Sequence, residues 1–136
     1  MAIQLNDTTR NARLDTIEST NSTSCSLEIR TGTQPATCAT AGSGTILVTI
    51  NLPADWMAAA SGGSKAKSGT WQDALADNTG TAGHFRVYNS QVTKDNTTCF
   101  MQGSCLAGSG DLNLDANPTQ NQIVTITAFT LTDGNA

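Results

Sequence analysis

Apolar side chains recur with period two in short bursts along this chain, and each burst is closed by glycine, asparagine, serine or proline. A period of two sends successive side chains to opposite faces of an extended backbone, so each burst reads as a half-buried β-strand. Cys25-Ser26-Leu27-Glu28-Ile29-Arg30 places Cys25, Leu27 and Ile29 on one face. Thr45 to Leu52 is the clearest strand, with Ile46, Val48 and Ile50 directed inward and Pro53 ending it. His84-Phe85-Arg86-Val87-Tyr88 alternates again, and a polar turn from Ser90 to Asn96 leads to Thr97–Gln102 as its hairpin partner. Shorter strands are expected at Gly69–Asp73 and Asp111–Leu114. A last strand is expected from Gln122 to Thr132, where Val124, Ile126 and Ala128 keep one parity while Phe129 and Leu131 take the other. That phase change implies a bulge or burial on both faces.

One helix is expected ahead of the strands. Asn6 or Asp7 can cap Thr8–Ser19, a segment without Gly or Pro in which Arg10, Leu14, Ile17 and Glu18 fall at helical spacing. Leu14 and Ile17 make a narrow apolar edge, suited to docking on something rather than to building a core. Asn21 to Ser24 breaks the helix, and Thr31 to Gly44 reads as a loop. Pro53–Ala60 is expected to make one helical turn anchored by Trp56 and Met57, and Ser61–Ser68 a loop that solvates Lys65 and Lys67. The organisation is an N-terminal helix or arm over residues 1–24 and one domain over residues 25–136. Six or seven short strands without βαβ alternation make the fold class mostly β: an antiparallel β-sandwich, jelly-roll-like or immunoglobulin-like, with a short N-terminal α-helix.

Size and charge narrow the function classes. A chain of 136 residues buries roughly 68–70% of its unfolded surface, so one core suffices without metal or cofactor. With 38% hydrophobic and only 13% charged residues, the balance falls to Thr, Ser, Asn, Gly and Ala, which suits strands and turns better than a helical bundle. A net charge of −4, with seven Lys and Arg spread thinly, speaks against nucleic acid, because phosphate binding needs a basic cluster. The longest run of branched aliphatic residues, Ile46-Leu47-Val48, is far below the ~20 residues of a spanning helix. The start, Met1 to Asp7, has neither a basic region nor an apolar stretch, so the expectation is a product held in the cytoplasm until something else releases it.

The residues that could carry chemistry read mainly as structural. His84 is the one histidine, placed on the strand face opposite Phe85 and Val87, and no Gly-x-Ser-x-Gly elbow or paired histidine accompanies it. Asp111 and Asp115 bracket a strand and Asp73 and Asp77 a loop; carboxylate pairs ~5–9 Å apart would serve a glycosidase, but turns use Asp routinely. Asp111–Asp115 lacks the glycine and closing glutamate of a calcium loop. Gly80–Gly83 and Gly108–Gly110 are too short to cradle phosphate. No catalytic residue, metal site or cofactor is expected.

Four cysteines, Cys25, Cys38, Cys99 and Cys105, match no zinc spacing. In one extended strand, Cys99 and Cys105 would stand ~20 Å apart. A disulfide needs about 4.4–6.8 Å between α-carbons, so these two pair only if Gly103 bends the chain. Cys25 and Cys38 flank a strand and its loop and close on each other more easily. All four are either reduced small hydrophobes or disulfide partners, within or between subunits, formed outside the reducing cell.

Four stretches in chain order carry a resemblance: Asp7–Asp15, Ile29–Ala36, Gly80–Tyr88 and Phe129–Ala136, with Asp111-Leu112-Asn113-Leu114 ahead of the last. Together they resemble a widespread family of small proteins encoded among the virion structural genes of tailed phages and prophages. The resemblance implies a particle protein, foremost a capsid-decoration (cement) protein, without catalytic residues. It also implies cysteines at the positions of Cys38 and Cys99, and sets Cys25 and Cys105 apart as features of this chain. The expected partners are copies of itself and the major capsid or other virion proteins, with no nucleic acid and no membrane. Its expected location is the virion, exposed on the particle after release. Leu14, Ile17, Trp56 and Met57 are the expected interface residues, since aromatic and Met side chains anchor contacts; the alternative is that they cover the domain's own open end. Two rival classes stand beside this reading: a tail- or fibre-associated receptor- or glycan-binding module, which glycan-array binding would reveal, and a cell-wall hydrolase, which a zymogram would reveal.

Overall fold

The structure, a computed structural model, describes residues 3–134. Asn135 and Ala136, which close the last of the four stretches above, lie outside the described residues, as do Met1 and Ala2. The elements run α1 (Asp7–Ser19), β1 (Ser26–Thr31), β2 (Ile46–Asn51), β3 (Ser64–Ala66), β4 (Trp71–Asp73), β5 (Ala82–Tyr88), β6 (Cys99–Ala107), β7 (Leu112–Leu114), β8 (Val124–Ile126) and β9 (Thr130–Thr132). The described residues are therefore mostly β with one helix. Its main sheet has five strands in the order β2-β1-β5-β6-β7, and two ribbons, β3-β9 and β4-β8, complete it.

The helix starts where expected. Asn6 is extended and its Oδ1 accepts the Thr9 amide at 2.9 Å, while Asp7 places a negative charge in the first turn. Only Leu14 is buried, and Ile17 packs partly against the core. Polar contacts supply much of the docking. The Asn11, Asp15 and Glu18 side chains accept the amides of Gly63, Ala60 and Met57, and Arg10 donates to the Asp133 carbonyl.

The main sheet is bent by three extra residues. Ile29 faces Val48 but Arg30 faces Ile46, so Leu47 is inserted in β2. Arg30 faces His84 but Thr31 faces Ala82, so Gly83 is inserted in β5. Val87 faces Met101 but Tyr88 faces Cys99, so Phe100 is inserted in β6. Each such bulge curls a sheet and re-aims the side chains beside it. At Gly83 the approach is so close that a Cβ would stand 2.1 Å from the Gly32 carbonyl oxygen, which only glycine avoids.

The sheet is not antiparallel throughout, which corrects the expectation. β7 runs parallel to β6, with Cys105 opposite Leu112 and Ala107 opposite Leu114. A parallel neighbour normally needs a long crossover. Here the chain returns within Gly108–Asp111, with φ of +81° at Gly108 and +98° at Gly110. Two glycines in the left-handed region make a reversal that side chains would obstruct.

The stretch expected as one final strand is two. β8 pairs with β4 and β9 with β3, so the parity change falls where the chain leaves one ribbon for the other. β3 itself lies inside the segment expected to be a loop, and Pro53–Ala60 makes no helical turn. Trp56 and Met57 sit fully inside, at 0% and 1% exposure. Trp56 meets Trp71 at 6.2 Å and Phe100 at 5.9 Å, and Phe129 meets both Trp71 (5.5 Å) and Phe85 (5.6 Å). This chain of rings joins the ribbons to the apolar face of the main sheet. Each ring pair adds about 0.5–1.5 kcal/mol beyond the area it buries.

Candidate functional site

The other face of the main sheet carries charge. Alternation places Glu28 and Arg30 of β1, His84, Arg86 and Tyr88 of β5, and Gln102 of β6 on that side, because Glu28 pairs with Arg86 and Arg86 with Gln102. Yet Glu28, His84, Arg86 and Tyr88 are buried, with Arg86 and His84 at 0% exposure. The loop of residues 32–45, which joins β1 to β2, folds back over His84 and Arg86.

Side chains of the sheet hold that loop by its backbone. His84 Nδ1–H donates to the Gly32 carbonyl at 2.9 Å, and Gln102 Nε2 to Pro35 O at 2.7 Å. Arg86 Nη2 donates to Cys38 O at 2.6 Å and Arg30 Nη1 to Ser43 O at 3.4 Å. Gly42 rests against the two guanidinium groups, where a Cβ would come within 3.2 Å of Arg30 Cζ and of Arg86 Nη1. Thr31 and Thr45 close the base of the loop through Thr31 N–H to Thr45 O and Thr45 N–H to Thr31 Oγ1. A buried polar group without a partner costs on the order of 1–3 kcal/mol, so these bonds offset part of the cost of burying the face as well as fixing the loop.

Glu28 is the acidic centre of the face. Arg30 Nη2 lies 2.8 Å from Glu28 Oε2, and Tyr88 OH donates to the same oxygen at 3.0 Å. Burial and the Glu28 charge push the Tyr88 phenol up to about 12. Arg86 stacks over the Tyr88 ring at 5.8 Å. Its hydrogen bonds go to Cys38 O and, from Nε, to Cys99 Sγ at 3.2 Å, so one guanidinium touches both cysteines. Burial lowers the His84 imidazole from its ordinary value, opposed by its bond to Gly32 and helped by Arg30 and Arg86.

The four cysteines separate into a pair and two single residues. Cys38 and Cys99 meet at the Arg86 guanidinium; burial, then Cys99, push the Cys38 thiol up to about 11. The Phe100 bulge is what turns Cys99 toward this face, since strict alternation would have grouped it with Met101. Cys25 is buried and donates to Ser22 O at 2.9 Å, with burial, then the Glu18 charge, raising it to about 11. Cys105 is sealed in the core, which raises it to about 12. Cys99 and Cys105 occupy one continuous β6, in which Gly103 keeps its place opposite Phe85 and does not bend the chain.

Of the remaining polar candidates, Asp73, Asp77 and Asp111 bind neighbouring segments of the chain. Asp73 Oδ2 accepts the Thr49 amide at 3.0 Å and Asp77 Oδ2 the Thr49 hydroxyl at 2.8 Å, so the two carboxylates cap the outer edge of β2. Asp111 accepts from the Ser104 amide and hydroxyl, both at 2.8 Å, and these bonds hold its carboxyl below the usual range. Asp115 follows the end of β7. Lys65 is not solvated as expected. It is 2% exposed and pairs with Asp15 at 2.7 Å and Glu18 at 3.2 Å. Lys67 stays outward, 5.8 Å from the Trp71 ring. Leu14, Trp56 and Met57 are buried and Ile17 is half-buried within the domain itself, so the exposed apolar surface lies elsewhere. That surface includes Leu75 (64% exposed) and Ile123 (61%), on adjoining segments tied by Ala76 N–H to Gln122 O at 2.9 Å.

Sequence reasoning missed Glu28, Arg86 and Tyr88 as a buried set, with the half-buried Arg30 paired to Glu28. The available signal was shared parity of polar residues on two strands, beside a loop too long for a hairpin turn. Compared with known protein families, curated proteins and solved structures, the chain matches none.

Proposed function

We propose that this chain is a non-enzymatic structural protein of a tailed-phage virion, a capsid-decoration (cement) protein that acts by packing against copies of itself and against the major capsid or other particle proteins. We read its five-stranded sheet and the ribbons over the sheet's apolar face as the two layers of a β-sandwich. The observation that carries the functional reading is where the reactive side chains go. His84, Arg86, Gln102, Asp73 and Asp111 hold this chain's own backbone, Asp77 holds the Thr49 hydroxyl, and large apolar side chains stand outside at Leu75 and Ile123. Such a surface suits many weak copies bound together, because multivalency multiplies modest contacts. The resemblance of the four stretches to virion structural proteins points the same way.

The test is mass spectrometry of purified virions of the encoding phage, with intensities referred to the major capsid protein. The expected result is a high-copy chain of 14.1 kDa, displaced from particles by Leu75→Asp with Ile123→Asp while the isolated protein still folds. Absence of the chain from virions would overturn the reading.

A further inference from the structure

We propose that Cys38 and Cys99 are a built oxidation site that closes to an intramolecular disulfide by exchange with a low-molecular-weight disulfide, stapling the loop of residues 32–45 to β6. This goes beyond the particle role and stands on the thiol pair alone.

Three features make the pair a site. The first is convergence. The two residues come from distant parts of the chain and meet at one guanidinium, with Arg86 Nη2 2.6 Å from Cys38 O and Nε 3.2 Å from Cys99 Sγ, an arrangement produced jointly by the folded-back loop and the Phe100 bulge. The second is the shared guanidinium. Arg86 is fully buried, holds Cys38 by its carbonyl and directs Nε–H at the Cys99 sulfur, so negative charge developing on that sulfur meets a fixed cation. The third is access. Cys38 and Cys99 are half-buried, whereas Cys25 and Cys105 are fully enclosed. A small disulfide therefore reaches this pair and not the other two.

The exchange balances without further reagents. Cys99 gives its proton to solvent, and its thiolate attacks one sulfur of the small disulfide; that S–S bond breaks and the first small thiolate leaves. Cys38 then loses its proton and attacks the Cys99 sulfur of the mixed disulfide, expelling the second small thiolate. Two protein thiols are oxidised by two electrons, one small disulfide is reduced to two thiols, and the released protons end on those thiols. In a reducing cell the pair stays open; outside it the staple closes a loop of about 60 residues, a length at which cross-links restrict the unfolded chain strongly.

The experiment uses the full chain, purified reduced and then equilibrated with oxidised glutathione. Unreduced peptide mapping is expected to show Cys38 linked to Cys99 in a monomer, with Cys25 and Cys105 still alkylatable after unfolding. The Tm is expected to rise by roughly 5–10 °C and to return on reduction. Cys99→Ser should abolish the link and the rise, and its Tm should be the same with and without oxidant. Linkage of Cys38 or Cys99 to another cysteine, a link between subunits, or full alkylation of both thiols after equilibration would each overturn the proposal. None of these outcomes bears on whether the chain is found in virions, so the two readings fail separately.

Discussion

The Lys65 ammonium lies 2.7 Å from Asp15 Oδ1 with its side chain 2% exposed, and this contact ties α1 to β3. Glu18 Oε2 stands 3.2 Å away and Ala58 O accepts a further bond at 2.8 Å. A buried ammonium is tolerated only with such partners, so Lys65 adds an ionic anchor to a helix with little apolar surface.

The pH range of that docking follows. Lys65, then the Ala60 amide, lower the Asp15 carboxyl from 3.8. A folded value below the unfolded one gives stability that is present above about pH 4 and lost as pH falls through the folded value. For Lys65, burial works downward, but the bonds to Asp15 and Glu18 outweigh it and raise the ammonium above 10.5. That contribution is full below the unfolded value and is lost as pH rises through the folded one. Hydrogen exchange should find the Ala60 and Met57 amides evenly protected between about pH 4 and 10. Below about pH 4 they should open before the amides of β1 and β5. Protection at Ala60 that persists until the whole sheet unfolds would show that the helix does not depend on these charges.

His84 sets a second, milder acid limit. Burial is the main reason its imidazole is lowered from 6.5, with Arg30 and Arg86 adding to it against the Gly32 bond. Its contribution is therefore present above the unfolded value and lost as pH falls from there toward the folded one. Urea unfolding should show stability declining below about pH 6.5, by no more than about 1.4 kcal/mol per pH unit for one proton. His84→Asn, which retains a side-chain donor, should flatten the profile below about pH 6.5. A wild-type profile already flat there would refute the buried neutral imidazole.

Glycine positions offer a test of how closely the loop lies on the sheet. At Gly83 a Cβ would stand 2.1 Å from Gly32 O and 2.8 Å from two further Gly32 backbone atoms, so Gly83→Ala must displace the loop. At Gly62, with φ +58°, a Cβ meets nothing within 4 Å and only the backbone preference is at stake. In urea titrations Gly83→Ala should cost about 3 kcal/mol or more and Gly62→Ala about 1 kcal/mol. Equal costs would mean that the loop does not press on β5.

What the sequence determined by itself is local. Period-two alternation marked β1, β2 and β5, and put His84 opposite Phe85 and Val87, because side-chain direction in an extended segment depends only on immediate neighbours. The Asn6 cap was legible for the same reason, since a helix start is satisfied within one turn. The tertiary structure alone decided the rest. An extra residue at Phe100 changes no local pattern, yet it moves Cys99 to the charged face and beside Cys38. Lys65 and its two partners are distant in sequence, so nothing near it signalled burial. β8 and β9 share one apolar run but pair with different strands. Register, burial of charge and the meeting of two thiols are properties of segments brought together, and the energy that selects them comes from contacts absent in the extended chain.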